Sequence, residues 1–166
     1  ISRHPLLRTF VDNLCKYLAC FVPAGGSSCA PTRRAFRIRR TIPSSSFIDT
    51  SPLLGEIGLD YVWDEDPAHY PAQRAVFAHF LHAAAAQDKI VNLHTKGAEH
   101  DVVSMLDAFG VRRAIVHWYS GPRDAFEALI ARDCYFTFGV ETLHSATIQA
   151  FAQAAPLMRI LTETDG

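Results

Sequence analysis

The centre of the chain reads Ile90-Val91-Asn92-Leu93-His94, a short apolar run that ends on a side chain able to bind a divalent metal. Four further runs of the same kind end on a histidine or a carboxylate, and their last residues are Glu56, His117, Glu141 and Asp165. From His94 onward the ends recur every 23 or 24 residues, and 38 residues separate Glu56 from His94. A period of this length accommodates one strand, one helix and two short loops, so it predicts repeated βα units.

Apolar stripes with helical spacing lie between these runs. A helix is predicted over residues 73–87, where Phe77, Phe80, Leu81 and Ala84 follow the i, i+3, i+4, i+7 pattern. Further helices are predicted to end at Gly110, to begin near Pro122 and to be capped by Ser145. The order is therefore strand and helix four times over and then a fifth strand. This winding predicts the α/β class with parallel strands, whose C-terminal ends meet at one mouth.

The charge is unevenly distributed along the 166 residues, whose net charge is −1. Residues 1–54 hold eight Lys or Arg and two acids (8 − 2 = +6), whereas residues 55–166 hold eight and fifteen (8 − 15 = −7). We therefore predict an irregular basic segment over residues 1–52, outside the barrel, and one folded unit over residues 53–166. Five arginines between positions 33 and 40 are suited to grip a phosphate backbone. A solvated basic arm is the alternative interpretation.

Composition excludes two classes of protein. Hydrophobic residues make up 49% and charged residues 20% of the chain, which is typical of a folded domain and not of a disordered one. No run reaches the roughly 18 apolar residues of a membrane helix. The N-terminus also lacks the basic start, apolar stretch and cleavage site of a secretory signal. We expect no membrane partner and a cytoplasmic location.

The strand-end residues combine histidine nitrogens with carboxylate oxygens. This donor mixture suits zinc, manganese, iron or nickel better than an all-oxygen magnesium cage. Because residues two apart on a strand share a face, Asp60 is expected beside Glu56, and Glu163 beside Asp165. One histidine at a strand end is usually a packed polar residue. Two such histidines and two carboxylates, repeated with the βα period, favour a shared metal site.

These motifs resemble those of the TatD family of metal-dependent hydrolases, and the similarity runs continuously from about Leu53 to Gly166. The resemblance implies a (β/α)8 TIM barrel that is incomplete here, with about five of eight βα units. It also implies a divalent metal centre at the C-terminal ends of the strands, and hydrolysis of phosphodiester bonds, typically in DNA. The segments that carry it are Gly55-Glu56-Ile57-Gly58-Leu59-Asp60-Tyr61, Asn92-Leu93-His94-Thr95, Val116-His117-Trp118-Tyr119-Ser120-Gly121 and Leu161-Thr162-Glu163-Thr164-Asp165.

By this resemblance Glu56 would bridge two metal ions, and His94 and His117 would complete one of the two sites. Asp165 would bind the other ion and act as the catalytic residue that orients water and accepts its proton. The expected cofactor is one or two divalent ions, Zn²⁺, Mn²⁺ or Mg²⁺.

Residues around this centre have supporting roles in the predicted site. Asp60 and Glu163 would hold the two imidazoles in place from behind. Lys96, just past His94, is the best phosphate contact. Trp118 and Tyr119 are expected either to stack on a base of the DNA substrate or to plug the barrel mouth.

The sequence departs from the family pattern in two places. The family opens with a strand that ends in a His-x-His pair, which this chain does not contain. The chain also ends directly after the Asp165 motif, so we expect a truncated or spliced family member whose open barrel edges are covered by the N-terminal segment or a second chain. Two alternatives stay open. One is a metal-dependent hydrolase of C–N or C–O bonds in a small molecule, and the other is a non-catalytic remnant that binds metal or nucleic acid.

Overall fold

Five parallel strands form one sheet in the order β1-β2-β3-β4-β5, and helices connect them. A computed structural model describes residues 45–163 of the protein. The predicted α/β class, the parallel strands and the βα winding are confirmed. The elements in chain order are α1 (Ser45–Thr50), β1 (Leu53–Asp60), α2 (Tyr70–Gln87), β2 (Ile90–Lys96), α3 (Glu99–Phe109), β3 (Ala114–Val116), α4 (Arg123–Ala131), β4 (Tyr135–Thr137), a 3₁₀ turn (Val140–Leu143), α5 (Ala146–Ala154), a second 3₁₀ turn (Leu157–Arg159) and β5 (Ile160–Leu161).

The strands become shorter across the sheet. β1 and β2 have eight and seven residues and pair from Leu53 with Ile90 to Asp60 with Lys96, with a register shift between Leu54 and Ile57. β3, β4 and β5 have only three, three and two residues. The backbone ladder is therefore extensive at one side of the mouth and short at the other.

The helix-covered face of the sheet forms the apolar core. Leu93, Val116 and Phe136 point to this face and have no solvent-exposed surface. The helices add an aromatic cluster, in which Phe126 and Phe151 lie 4.9 Å and 5.4 Å from the rings of Phe136 and Tyr119, respectively. Because side chains alternate along a strand, the polar strand-end residues lie on the opposite face.

The residues predicted to mark helix ends do so in the structure. Gly110 adopts the left-handed conformation (φ 67°) that ends α3, and the Ser145 side chain accepts a hydrogen bond from the Ile148 amide at the start of α5. α2 begins at Tyr70, three residues before the predicted start. The apolar run over residues 135–141 was predicted as a strand that ends on Glu141. That prediction is wrong, because the strand ends at Thr137 and Glu141 lies in a 3₁₀ turn.

Residues 45–52 are the described part of the predicted N-terminal segment. They include α1, whose Ile48 is buried. Lys89 donates to the carbonyl oxygens of Ile48, Asp49 and Ser51, at 3.1 Å for Asp49 and 2.5 Å for Ser51, and thereby holds the C-terminal end of α1. Residues 1–44, including the arginine-rich stretch, lie outside the described residues.

β1 and β5 are the two edges of the described sheet. The expectation that another segment or a second chain covers these edges stays a prediction. Among residues 45–163, none of the helices has the length and hydrophobicity that a membrane crossing requires.

Candidate metal centre

One oxygen of Glu56 lies between the two strand-end histidines. Glu56 Oε1 is 2.9 Å from His94 Nδ1 and 3.4 Å from His117 Nε2. The three residues come from β1, from β2 and from the position after β3, and 61 positions (117 − 56) separate the first from the last. The strand ends thus bring together three of the four predicted metal ligands.

A second carboxylate lies behind each imidazole. His94 Nε2 is 2.8 Å from Asp60 Oδ2, and His117 Nδ1 is 2.5 Å from Glu163 Oε2. Each imidazole therefore has one nitrogen toward Glu56 and the other toward an outer carboxylate. This is the arrangement in which a carboxylate fixes the ring orientation of a metal-binding histidine.

A close approach of β1 to β2 sets the position of His94. Gly58 is opposite His94 in the ladder, and a Cβ on Gly58 would lie 1.9 Å from the His94 carbonyl oxygen. Only glycine allows this approach. The sequence motif therefore uses its second glycine to seat the histidine between Glu56 and Asp60.

Trp118 organises the other side of the site. Its backbone has a φ of 45° directly after His117, a conformation that is uncommon for a bulky residue. Its amide donates to Thr137 Oγ1 (2.9 Å) and to Glu163 Oε1 (3.2 Å), and its indole N–H donates to Glu141. Backbone strain of this kind persists where several contacts fix the residue, and it is concentrated at functional sites.

The electrostatics of the cluster favour charged side chains. Burial alone would lower the pKa of His94, but the bonds with Glu56 and Asp60 outweigh burial, and the pKa lies above the ordinary 6.5. Burial alone would raise the pKa of Glu163, whereas the bonds from His117 and Thr137 lower it below the usual 4.5. A His94 imidazole between two carboxylates is in its protonated form when it donates to both.

The model of the family described as TatD related DNase matches residues 45–166. The chain belongs to the TatD family. It is 28% identical over 116 residues to the uncharacterised metal-dependent hydrolase YabD of Bacillus subtilis, a match that covers 68% of this chain and 45% of YabD. It is also 26% identical over 123 residues to the putative deoxyribonuclease tatdn3 of Danio rerio, with 72% and 46% covered. The chain thus spans less than half the length of these TatD-family relatives.

Solved structures of TatD proteins support the fold. The crystal structure of YJJV, a TatD homologue from Escherichia coli K12, superposes with a TM-score of 0.60 at 24% identity, covering 67% of this chain and 43% of that one. The five parallel strands with their helices therefore form part of a TIM-barrel-type fold, as predicted from the resemblance.

The TatD-family centre implies a divalent metal, and the donor set fits one chemically. Two imidazoles and a shared carboxylate oxygen are the donor types that borderline transition metals prefer. In residues 45–163, however, no three His, Cys, Asp or Glu side chains are arranged around one point as a ready set of ligands. The imidazoles and carboxylates are instead bonded to one another, so a cation would replace the inner histidine–Glu56 contacts and leave the outer ones in place.

The remaining predicted residues have different positions. Lys96 reaches the mouth, and its Nζ donates to Ser120 Oγ over 2.7 Å. Tyr119 was expected either to stack on a base or to plug the barrel mouth, but its ring is fully buried in the aromatic core and its hydroxyl donates to the Pro122 carbonyl (2.5 Å). The stacking alternative is wrong for Tyr119, because the ring presents no surface to a ligand. The catalytic candidate Asp165 lies outside the described residues.

Two polar residues near the site were not assigned to it from the sequence, although Glu141 was noted as the end of an apolar run. Thr137 accepts from the Trp118 amide and bonds with Glu163, and Glu141 accepts from the Trp118 indole. The sequence contained a signal for Thr137, because it follows the buried Phe136 on β4 and therefore lies on the same face of the sheet as the polar strand-end residues.

Proposed function

We propose that this chain is the metal-binding part of a TatD-family hydrolase that cleaves phosphodiester bonds in DNA by metal-activated water. The observation that supports it best is the convergence on one Glu56 oxygen of His94 Nδ1 and His117 Nε2, 2.9 Å and 3.4 Å away. The putative deoxyribonuclease among the relatives adds support for DNA as the substrate class.

In this proposal Glu56, His94 and His117 would hold one divalent ion, and Asp165 with Glu56 would hold a second, weaker one. A bound Zn²⁺ or Mn²⁺ would lower the pKa of its water to about 7 and offset the charge of the phosphate. Asp60 and Glu163 keep the imidazoles oriented. Asp165 accepts the proton of the attacking water.

The phosphate is expected to enter beside Lys96. The ammonium group lies on β2, two residues beyond His94 and on the same face, and donates to Ser120 in this structure. Exchange of that neutral hydroxyl for a phosphate oxygen gives Lys96 a charge-assisted bond.

Metal content tests the ligand assignment directly. We expect about one tightly held transition metal in protein purified without chelator, and much less in His94→Ala and His117→Ala. His82→Ala is the matched control, because His82 is an exposed histidine on α2. Equal metal content in wild type and both site variants would rule the site out.

Cleavage tests the reaction. The 166-residue chain lacks a His-x-His strand, so we expect it to cleave single-stranded DNA very slowly with Mg²⁺, Mn²⁺ or Zn²⁺. Adding that strand and a C-terminal strand from a longer relative should restore cleavage, and Asp165→Asn should abolish the restored activity. Cleavage of small amides or lactones but not of DNA would favour a C–N or C–O hydrolase instead. Metal binding without cleavage of any substrate in the completed barrel would favour a non-catalytic remnant.

A further inference from the structure

Trp63 presents an indole at the mouth beside the metal centre. Trp63 is 74% exposed to solvent. The centroid of its ring lies 5.6 Å from that of the His94 imidazole, and the two rings are inclined at 45°. A tryptophan on a loop beside a polar site is well suited to contact a ligand, because loops carry binding residues and the indole offers a large apolar face.

The backbone beneath this ring is firmly held. Asp60 Oδ1 accepts from the amides of Val62 (2.9 Å) and Trp63 (2.7 Å), while Asp60 Oδ2 contacts His94 Nε2 (2.8 Å). One carboxylate therefore sets both the orientation of the His94 imidazole and the position of the Trp63 loop.

The rest of the loop is anchored on α2 and α3. Gln73 donates to Asp64 (3.0 Å) and to the Asp60 carbonyl (2.9 Å), and the Tyr61 hydroxyl donates to Asp101 (2.8 Å). The indole thus stands exposed on a backbone that is fixed on both sides, so a ligand would not have to order the loop before it binds.

The two tryptophans of the chain have opposite surroundings. Trp118, for which the sequence left base stacking and plugging of the mouth as equal alternatives, donates its indole N–H to Glu141 and packs against Gly139, where a Cβ would lie 2.0 Å from the ring. Its ring is engaged by the protein, whereas the Trp63 ring faces solvent over the site.

We propose that Trp63 is a base-stacking residue, which binds a nucleobase of single-stranded DNA next to the phosphodiester at the metal centre. The inference rests on the proposed function and specifies how its substrate is held. A planar ring that every base can stack on would favour unpaired over duplex DNA, since bases in a duplex are already stacked. Lys96, on the neighbouring strand end, supplies the positive charge for the adjacent phosphate.

Binding of a labelled single-stranded oligonucleotide, compared with an abasic strand of the same length, tests this with the full chain. Stacking of one base contributes roughly a 5- to 150-fold gain in affinity. We expect wild type to prefer the base-containing strand by a factor in this range, Trp63→Ala to bind both strands alike, and Trp63→Phe to keep most of the preference. Val62→Ala, at the neighbouring exposed position, is the matched control and should behave as wild type.

Thermal unfolding verifies that the variants are folded, and Trp63→Ala should match wild type because the ring is exposed. A preference for the base-containing strand that survives in Trp63→Ala, or no preference in wild type, would overturn the inference. A Trp63-dependent preference in a protein whose completed barrel cleaves no DNA would support base stacking and refute the proposed hydrolysis. If the completed barrel cleaves DNA but Trp63→Ala keeps the preference for the base-containing strand, the proposed hydrolysis is supported and base stacking by Trp63 is refuted.

Discussion

His94 and His117 have the same relation to Glu56 but are positioned by different means. His94 is buried in a ladder of long strands, and both of its carboxylate partners come from β1. His117 follows a three-residue strand, and its outer partner Glu163 is itself bonded to the Trp118 amide and to Thr137. The backbone of His94 is held by a long ladder, whereas His117 has one ladder bond, to Leu93, and depends more on the side-chain hydrogen bonds around it. The two sides should therefore respond differently to substitution.

The largest effect is expected from Gly58→Ala on the His94 side. The new Cβ would overlap the His94 carbonyl oxygen, 1.9 Å away, so the β1–β2 ladder would have to separate. We expect the free energy of unfolding to fall by roughly 3 kcal/mol, at the upper end for overpacking. Urea denaturation measures it.

Gly110→Ala is the matched control. Gly110 has a φ of 67°, but no atom lies within 4 Å of an added Cβ. Alanine there would therefore lose stability only because it must adopt a left-handed backbone conformation. That penalty is about 1 kcal/mol. If Gly58→Ala costs no more than Gly110→Ala, the close backbone approach does not position His94.

The outer carboxylates give the next largest effect. Loss of such a partner typically weakens metal binding by about 10- to 100-fold. We expect Glu163→Gln to reach the upper end, because its partner His117 follows a strand of only three residues, and Asp60→Asn the lower end, because the longer ladder still holds His94. Titration of metal-free protein with Zn²⁺ measures both.

Glu65→Gln, an exposed carboxylate in the loop after β1, serves as the control for this titration. Should Asp60→Asn lose more affinity than Glu163→Gln, the contrast between backbone and side-chain positioning of the two histidines would be wrong.

The same contrast explains what the sequence predicted well. Inside a strand the side chains alternate, so the apolar runs indicated that Glu56, His94 and His117 share a face and meet at one mouth. The glycine at position 110 and the serine at position 145 likewise mark helix ends by local conformation alone.

Beyond the residue that directly follows a strand, such as His117 after β3, alternation carries no information. The φ of 45° at Trp118 turns the chain, so that Tyr119 enters the core and the Trp118 ring lies over Gly139. The exposure of Trp63 depends in the same way on contacts from Asp60, α2 and α3 that are distant in sequence. Loop geometry of this kind follows from tertiary contacts, which no local pattern encodes.

Trp118→Phe is expected to have a moderate effect confined to the His117 side. The substitution removes the indole N–H that donates to Glu141 and keeps an aromatic ring. A hydrogen bond to a charged group contributes about 1.5–3 kcal/mol, and the half-buried position favours the lower value. Urea denaturation should give a loss of about 1.5 kcal/mol.

Trp63→Phe makes the same chemical change at an exposed indole and should leave the free energy of unfolding unchanged. A loss in Trp63→Phe equal to that in Trp118→Phe would mean that the Glu141 bond does not stabilise the His117 side.

The smallest effect concerns Asp101, which supports the His94 side from outside the mouth through Tyr61. Burial alone would raise the pKa of Asp101, but the bonds from Tyr61 and Arg74 outweigh it, and the pKa lies below the ordinary 3.8. Because the folded-state pKa is lowered, this carboxylate stabilises the fold above pH 3.8, and the contribution is lost as the pH falls through the folded-state value. The Asp101 side chain is 42% exposed, so solvent screening limits the contribution to about 0.5 kcal/mol.

Asp101→Asn should therefore be less stable than wild type by this amount at pH 7 and equally stable near pH 2. Glu127→Gln is the control, because Glu127 is in an exposed ion pair with Arg123, and it should differ little from wild type at either pH. A difference for Asp101→Asn that persists at pH 2 would show that the residue acts through packing and not through its charge.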